Sequence, residues 1–119
     1  MTLLTKDIRA RLIANGELHR QMRLAGKAEP DFLPVVKLFT PDARATWLLA
    51  EIDPDDHDRA FGLCDLGLGF PELGYVSLKE LERIRGKAGL PVERDLYFRP
   101  RKTLKDYARE ARECRRITA

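Results

Sequence analysis

The sequence predicts an α+β domain in which helices surround a central, mostly antiparallel sheet of four or five strands. Two observations lead to this fold class. Apolar residues recur at helical spacing in the first 25 residues and again after residue 103, whereas between residues 35 and 76 they follow a period of two. Turn-forming residues separate the alternating segments. With 119 residues, 44% of them hydrophobic and 34% charged, the chain has the size and composition of a single domain over residues 1–119.

Two helices are expected before the sheet. Thr5 suits the N-cap of the first helix, and Asn15–Gly16 is a pair that typically ends one. A second helix is expected over residues 17–25, with Gly26 as its end. The two prolines in residues 29–34 then favour an extended connection into the first strand.

Five short segments have the composition and the alternation of strands. They cover residues 35–40, 46–52, 60–66, 73–76 and 92–98. Residues 41–44 suit a type I turn, so the first two strands should form a hairpin. Residues 53–59 contain four aspartates, and we interpret them as a polar loop.

Helices are also expected after strands four and five. Ser77 with Glu80 forms a capping-box pattern for a helix that Gly86 should end, and Thr103 with Asp106 forms a weaker one for the last helix. An apolar stripe on the last helix comprises Leu104, Tyr107, Ala108, Ala111 and Cys114. The residues expected in the core are Ile8, Leu12, Val36, Leu38, Trp47, Leu49, Phe61, Leu63, Val76, Leu81, Leu96 and Tyr107.

The cysteines and the apolar runs bear on the cellular compartment. Cys64 and Cys114 both lie in apolar patterns and are expected to be buried, reduced thiols. No apolar run approaches the roughly 20 residues that a membrane span needs. The charged residues near the N-terminus do not resemble a secretory signal. We therefore expect a cytoplasmic protein that does not enter a membrane.

A net charge of +3 conceals two regions of opposite charge. Residues 42–82 carry three basic and ten acidic side chains, whereas residues 99–119 carry eight basic and three acidic ones. Such an asymmetry carries information about partners rather than about the fold.

The basic end supplies the leading functional hypothesis. Lys105, Arg109, Arg112 and Arg116 recur at i, i+4, i+7 and i+11 of the last helix, and Arg101 and Lys102 precede it. Such a row could contact the phosphates of a nucleic acid or an acidic surface of a host protein. On this hypothesis the protein is a non-enzymatic accessory protein that binds a macromolecule through the basic end. A merely solvated outer face, with acidic neighbours in ion pairs, is the alternative explanation of the same row.

Acidic residues supply a hypothesis from a different class. Asp65 and Glu72 flank a glycine-rich bend and, with Asp53, could hold a divalent metal in an enzyme. They could equally cap backbone amides. The aspartates of residues 53–58 fail the calcium-loop template and are read as a solvated connection, or as a mimic of phosphates that binds a basic groove. No complete zinc, phosphate-loop or nucleophile motif is present, and no cofactor is expected.

Four runs of the sequence resemble a known family. They are Pro34-Val-Val-Lys-Leu-Phe-Thr-Pro-Asp42, Trp47-Leu-Leu-Ala-Glu-Ile-Asp-Pro-Asp55, Ala60-Phe-Gly-Leu-Cys-Asp-Leu-Gly67 and Pro71-Glu-Leu-Gly-Tyr-Val-Ser-Leu78. The chain is similar, from Leu3 to Ile117, to a family of small single-domain proteins of unknown function from proteobacteria, often encoded on plasmids and integrated conjugative elements. The resemblance implies no catalytic residue. Its genetic setting implies a role in plasmid maintenance, transfer or evasion of host defence.

Overall fold

A five-stranded antiparallel sheet forms the centre of the structure, a computed structural model that describes residues 3–119. Its strands, numbered along the chain, are β1 (Val36–Phe39), β2 (Thr46–Asp53), β3 (Asp56–Asp65), β4 (Glu72–Ser77) and β5 (Glu93–Arg94). They lie in the order β4-β3-β2-β1-β5. The helices are α1 (Lys6–Leu24), α2 (Leu78–Arg83) and α3 (Leu104–Cys114). The α+β class and the antiparallel sheet are therefore confirmed.

The N-terminal segment forms one helix, so the prediction of two helices was wrong. Thr5 is the N-cap, and its hydroxyl accepts a hydrogen bond from the Ile8 amide. Gly16 lies within α1 and is buried, because at this residue the helix contacts the backbone of β2. The helix continues through Asn15–Gly16 and ends at Leu24, and Gly26 just beyond it has a φ of +69°, so the expected helix end at Gly26 is confirmed.

The hairpin of β1 and β2 is confirmed. Phe39 pairs with Thr46, and Val36 pairs with Leu49. Within the turn, the amide of Thr40 donates to the carbonyl of Ala45, and the Ala45 amide donates to the Thr40 hydroxyl. The local turn chemistry therefore sets the register of this pair.

Residues 53–59 form strand ends and a tight turn, so the interpretation as a polar loop was wrong. Asp53 pairs with Asp56 across the turn, and the Asp53 carboxylate accepts a hydrogen bond from the Asp55 amide. The segment joins the sheet despite its charge because β3 continues along β4, where Arg59 pairs with Ser77. Backbone pairing here outweighs a polar composition.

Helices cover both faces of the sheet. One core lies between the sheet and α1 with α2, and its buried residues are Leu3, Leu4, Leu12, Val36, Leu38, Trp47, Leu49, Ile52, Ala60, Leu78, Leu81 and Val92. The other lies between the sheet and α3, and it comprises Leu48, Ala50, Leu63, Leu104, Tyr107, Ala108 and Ala111. The unbroken burial of residues 47–52 follows, because a strand covered on both faces buries successive side chains.

Most of the expected core residues are buried, with four exceptions. Ile8, Phe61 and Val76 are only half-buried and pack at the edges of the two cores. Leu96 is exposed, so its assignment to the core was wrong. Its strand was expected to run to residue 98, but β5 ends at Arg94 after two residues paired with β1.

Helix α2, which follows β4, begins where its capping residues predicted but is shorter than expected. The Ser77 hydroxyl accepts a hydrogen bond from the Glu80 amide, which confirms the start of α2. The helix ends at Arg83, before the expected Gly86, because Ile84 is extended and Arg85 then bridges to Pro91. Of the helices within residues 3–119, none combines the length and the apolar character needed to cross a membrane.

Candidate functional site

Helix α3 packs one face on the sheet and leaves the opposite face to the solvent. Thr103 is its N-cap, as the capping pattern predicted, and Leu104, Tyr107, Ala108 and Ala111 form the buried face. The outward face therefore carries Lys105, Arg109 and Arg112, all of them exposed, as the helical spacing predicted.

Ion pairs engage only part of the basic row. Arg109 Nη2 lies 2.5 Å from an oxygen of Asp106, and Lys102 pairs with Glu110. Lys105 and Arg112 form no salt bridge within the described part of the chain. The expected pairing with acidic neighbours is thus present, but it does not neutralise the row.

The row ends earlier than the sequence spacing indicated. Helix α3 stops at Cys114, and Arg115 adopts the left-handed conformation with φ of 60°. The amide of Arg116 then donates to the carbonyl of Ala111, which closes the helix end. Arg116 is exposed but lies outside the helix, so its expected place at i+11 of a helical row was wrong.

Grooves with exposed aromatic rings adjoin these cations. Arg112 and Arg115 line a groove of about 590 Å³ with the bend before β4, where Phe70 is 77% exposed. A second hollow of about 420 Å³ is lined by Arg101, Lys102 and Tyr97, which is 88% exposed. We call the residues Arg101, Lys102, Lys105, Arg109, Arg112, Arg115 and Arg116 the basic surface.

The structure does not bring Asp65 and Glu72 together. Asp65 is buried, and its two oxygens accept hydrogen bonds from the amides of Gly67 (2.8 Å) and Ile117 (3.0 Å). Glu72 is exposed and pairs with Cys64 in the sheet, so the alternation along the strand places it on the face opposite Asp65. Asp65 thus caps backbone amides, which was the structural alternative for this residue.

The aspartates of residues 53–58 also form contacts within the fold. Asp55 lies 2.6 Å from Arg20. Asp58 accepts hydrogen bonds from the Ser77 hydroxyl (2.6 Å) and from the Lys79 amide (2.8 Å). The Ser77 hydrogen bond, followed by that of Lys79, lowers the pKa of Asp58 below its ordinary value. Within residues 3–119, no group of three or more His, Cys, Asp and Glu side chains is arranged to hold a metal ion.

A histidine–carboxylate pair lies between α1 and β2, and the sequence reasoning missed it. His19 Nδ1 and Glu51 Oε1 are 2.8 Å apart, and the two side chains are only 18% and 12% exposed. A β-bulge, in which Ala50 is the extra residue of β2, places Glu51 at this position. Asn15, one helical turn before His19, donates to the Ala50 carbonyl at 2.9 Å. The sequence did contain one indication of this contact. Asn15 and His19 are four residues apart, so on a continuous helix they share a face with Gly16, and that face could have been expected to pack polar groups against the sheet.

A comparison with protein-family models finds one described as "Protein of unknown function (DUF2958)", which matches residues 3–118. The chain belongs to the DUF2958 family. This match confirms membership of a family of unknown function, as the four sequence runs implied. No curated protein and no solved structure matches the chain significantly.

In this DUF2958 protein the His19–Glu51 pair adjoins a cavity of about 230 Å³. The cavity is bounded by the C-terminal half of α1, the bulge of β2, the segment before β1 and the start of α3. Its lining residues are His19, Glu29, Pro30, Asp31, Phe32, Ala50, Glu51, Phe61, Leu73, Tyr75, Leu104 and Lys105. His19 Nε2 is buried and makes no hydrogen bond with the described residues.

The two cysteines of this DUF2958 protein lie in different environments, and both are free thiols. Cys64 is half-buried, and burial, reinforced by the charge of Glu72, raises the pKa of its thiol to about 11. Cys114 is exposed in the last turn of α3, so the prediction that it is buried was wrong. The apolar stripe of α3 ends at Ala111, because the last turn no longer packs on the sheet.

Proposed function

We propose that this DUF2958 protein is a non-enzymatic accessory protein that binds nucleic acid through the basic surface. The observation that carries the proposal is the division of α3 into two faces. The core uses Leu104, Tyr107, Ala108 and Ala111, whereas Lys105, Arg109 and Arg112 project outward and take no part in the packing. These cations are available to a polyanion at no cost to the fold.

The electrostatics favour the phosphate backbone as the contacted group. Lys105 and Arg112 have no acidic partner in residues 3–119, and Arg109 has one exposed partner, Asp106. An exposed pair of that kind is weak and exchanges readily for a phosphate contact. Lys105, Arg109 and Arg112 lie along about two helical turns, and cations spaced in this way can neutralise several phosphates, which releases counterions and makes the affinity salt-dependent.

The exposed aromatic rings favour single strands over a duplex. Phe70 lines one groove with Arg112 and Arg115, and Tyr97 lines the other hollow with Arg101 and Lys102. Single-strand binding proteins combine a basic groove with aromatic side chains on which unpaired bases stack. A base-paired duplex does not present its ring faces in this way.

The proposed setting follows from the family resemblance. Relatives carried on plasmids and integrated conjugative elements of proteobacteria suggest a protein that acts in the host cytoplasm during maintenance or transfer of the element, or in evasion of host defence. An acidic host protein is the alternative ligand of the same surface.

Fluorescence anisotropy with labelled single- and double-stranded DNA and RNA, titrated across salt concentrations, tests the proposal. We expect binding that weakens linearly on a log–log plot against salt, with a slope that reports the phosphates contacted. Replacement of Lys105, Arg109 and Arg112 by glutamate should weaken binding at least tenfold and leave the melting temperature little changed. A Phe70→Ala variant should weaken single-strand binding by about 1–3 kcal/mol and spare duplex binding.

The matched control reverses three exposed charges on the other side of the sheet. Arg11, Arg83 and Lys87 are exposed on or near α1 and α2, so their replacement by glutamate changes the net charge equally. This control should retain most of the affinity. Absence of binding at low salt, or equal losses in both triple variants, would refute the nucleic-acid proposal. A host protein captured by the wild type and lost only from the α3 variant would indicate the alternative ligand.

A further inference from the structure

The cavity beside His19 and Glu51 meets the outward face of α3 only at Lys105 and has its own chemistry. We propose that it binds a small planar cation that presents N–H donors from an apolar body, such as an amidinium or guanidinium group on a ring or short chain. The volume of about 230 Å³ lies below that of pockets that hold drug-sized ligands, so the ligand is small.

The hydrogen-bonding groups of the cavity are mainly acceptors. A carboxylate can only accept, so the 2.8 Å contact with Glu51 places the proton of the neutral His19 ring on Nδ1. Nε2 of that ring is then an acceptor, as are the second oxygen of Glu51 and the carboxylate of Glu29. A ligand that satisfies these atoms must supply donors.

The unpartnered nitrogen of His19 marks the position of one such donor. Buried side-chain nitrogens almost always have a hydrogen-bond partner, and exceptions call for an explanation. The nearest acidic atom is Glu29 Oε1 at 3.7 Å, which is too far for a hydrogen bond. The Glu29 side chain is 68% exposed, so it can move far enough to admit a donor group of the ligand between its carboxylate and Nε2, and both atoms can then accept from that ligand.

The charge of the lining favours a cation. Glu29, Asp31 and Glu51 contribute three carboxylates, whereas Lys105 contributes one ammonium group. Asp31 is held in place because one of its oxygens accepts the amide of Lys105 at 3.1 Å. An anionic ligand would meet this excess of negative charge, and a neutral one would gain nothing from it.

The apolar walls favour a flat ligand. Phe61 and Tyr75 contact each other edge to face with ring centroids 5.0 Å apart. The Arg59 guanidinium already covers one face of Tyr75 at 3.8 Å, so Phe61, Leu73 and Leu104 supply the apolar wall that is left for a ligand. Delocalised cations such as amidinium bind well against aromatic rings, while their edge N–H groups remain free for carboxylates and imidazole.

Three matched probes test the inference on the full chain. Benzamidine has the planar cation and the ring, benzylamine has a tetrahedral ammonium in its place, and benzyl alcohol has no charge. Calorimetry and backbone amide NMR should show saturable benzamidine binding, with shifts at His19, Glu51 and Phe61. The two other probes should bind at least tenfold more weakly. Agmatine, added in parallel, tests whether a guanidinium group on a flexible chain binds as well as the amidinium on a ring.

Two variants connect binding to the named atoms. Glu51→Gln removes the charge but keeps an oxygen that can accept from His19, and Glu29→Gln changes an exposed side chain that the fold does not need. Each should weaken benzamidine binding about tenfold, whereas Glu113→Gln on α3 should not. Equal binding of benzyl alcohol, shifts outside the cavity, or full affinity in the Glu29 variant would overturn the proposal. The Arg109→Glu/Arg112→Glu variant should retain benzamidine binding, so this inference and the nucleic-acid proposal fail independently.

Discussion

Gly16 of α1 lies directly against the backbone carbonyl of Ile52 in β2. A Cβ atom at residue 16 would stand 1.9 Å from the Ile52 oxygen and 3.3 Å from Cδ of Pro54. Helix and strand thus approach each other more closely than any other residue type would allow. Because of this approach, His19 lies beside Glu51 less than one helical turn further along.

The close approach predicts that Gly16→Ala destabilises the protein. In an ordinary helix interior the same change stabilises by about 1 kcal/mol, because alanine is the better helix former. Here the added methyl group meets main-chain atoms that cannot turn aside, so we expect a loss of about 1–3 kcal/mol. Urea or thermal unfolding measures it.

The control for this substitution is Gly74→Ala in β4. An added Cβ at Gly74 has no neighbour within 4 Å, and the residue has no positive φ. Its stability should change by about 0.5 kcal/mol or less. A Gly16→Ala variant as stable as the wild type would show that the helix can move off the strand.

Gly16 also shows which features of the fold could be predicted from the sequence. The N-caps at Thr5, Ser77 and Thr103 depend on residues three positions away, and they were predicted correctly. Gly16 was taken for a helix end because glycine occurs both at helix ends and where two backbones approach closely. Its actual role depends on Ile52, which is distant in the chain. Features that depend on residues a few positions apart can be predicted from the sequence, whereas contacts between residues distant in the chain cannot.

The two candidate sites differ in the same respect, because one depends on local spacing and the other on residues distant in the chain. The outward position of Lys105, Arg109 and Arg112 follows from helical periodicity alone. The His19–Glu51 pair spans 32 positions and requires a bulge at Ala50, for which the sequence gives no local signal.

A second prediction concerns the buried carboxylate of Asp65. Its oxygens cap the amides of Gly67 and Ile117, so Asp65→Ala leaves both amides without their partner and frees the segment after α3. An unpaired buried amide costs about 1–3 kcal/mol, but Gly67 is exposed and Ile117 is half-buried, so water can partly replace the lost partner and we expect a total loss of about 1–3 kcal/mol. The free energy of unfolding from urea titration gives the value.

Glu72→Ala is the natural comparison, because Glu72 is exposed and faces the opposite side of the sheet. We expect it to change stability by about 0.5 kcal/mol or less. Equal stability of the two variants would contradict the capping role of Asp65. Loss of a saturable Mg²⁺ binding in both variants, if the wild type shows such binding, would support the metal-dependent enzyme hypothesis instead.

The third prediction separates the two thiols. Because thiolate is the reactive form, a pKa of about 11 leaves almost none of Cys64 reactive near neutral pH, and its half-buried position limits access further. A disulfide reagent such as Ellman's should therefore modify the exposed Cys114 in the native protein and reach Cys64 only on unfolding. Cys114→Ser should remove the fast phase, and Cys64→Ser should leave it intact. Two thiols that react at the same rate in the native state would contradict the burial of Cys64.

The fourth prediction is a dependence of stability on acid pH that originates at Asp58. Hydrogen bonds from the Ser77 hydroxyl and the Lys79 amide hold its folded-state pKa below the ordinary value of 3.8. The unfolded chain therefore takes up this proton at a higher pH than the folded chain does. The contribution of Asp58 is thus fully present above about pH 5 and is lost as the pH falls through the folded-state pKa.

Urea unfolding at intervals between about pH 2 and pH 6 measures this dependence. The wild type should lose more stability than Asp58→Asn over that range, because asparagine has no proton to gain. Ser77→Ala removes the principal donor to the carboxylate, so it should flatten the pH profile while also lowering stability at neutral pH through the lost cap of α2. Parallel profiles for the wild type and Asp58→Asn would mean that Asp58 contributes nothing to the acid sensitivity of the fold.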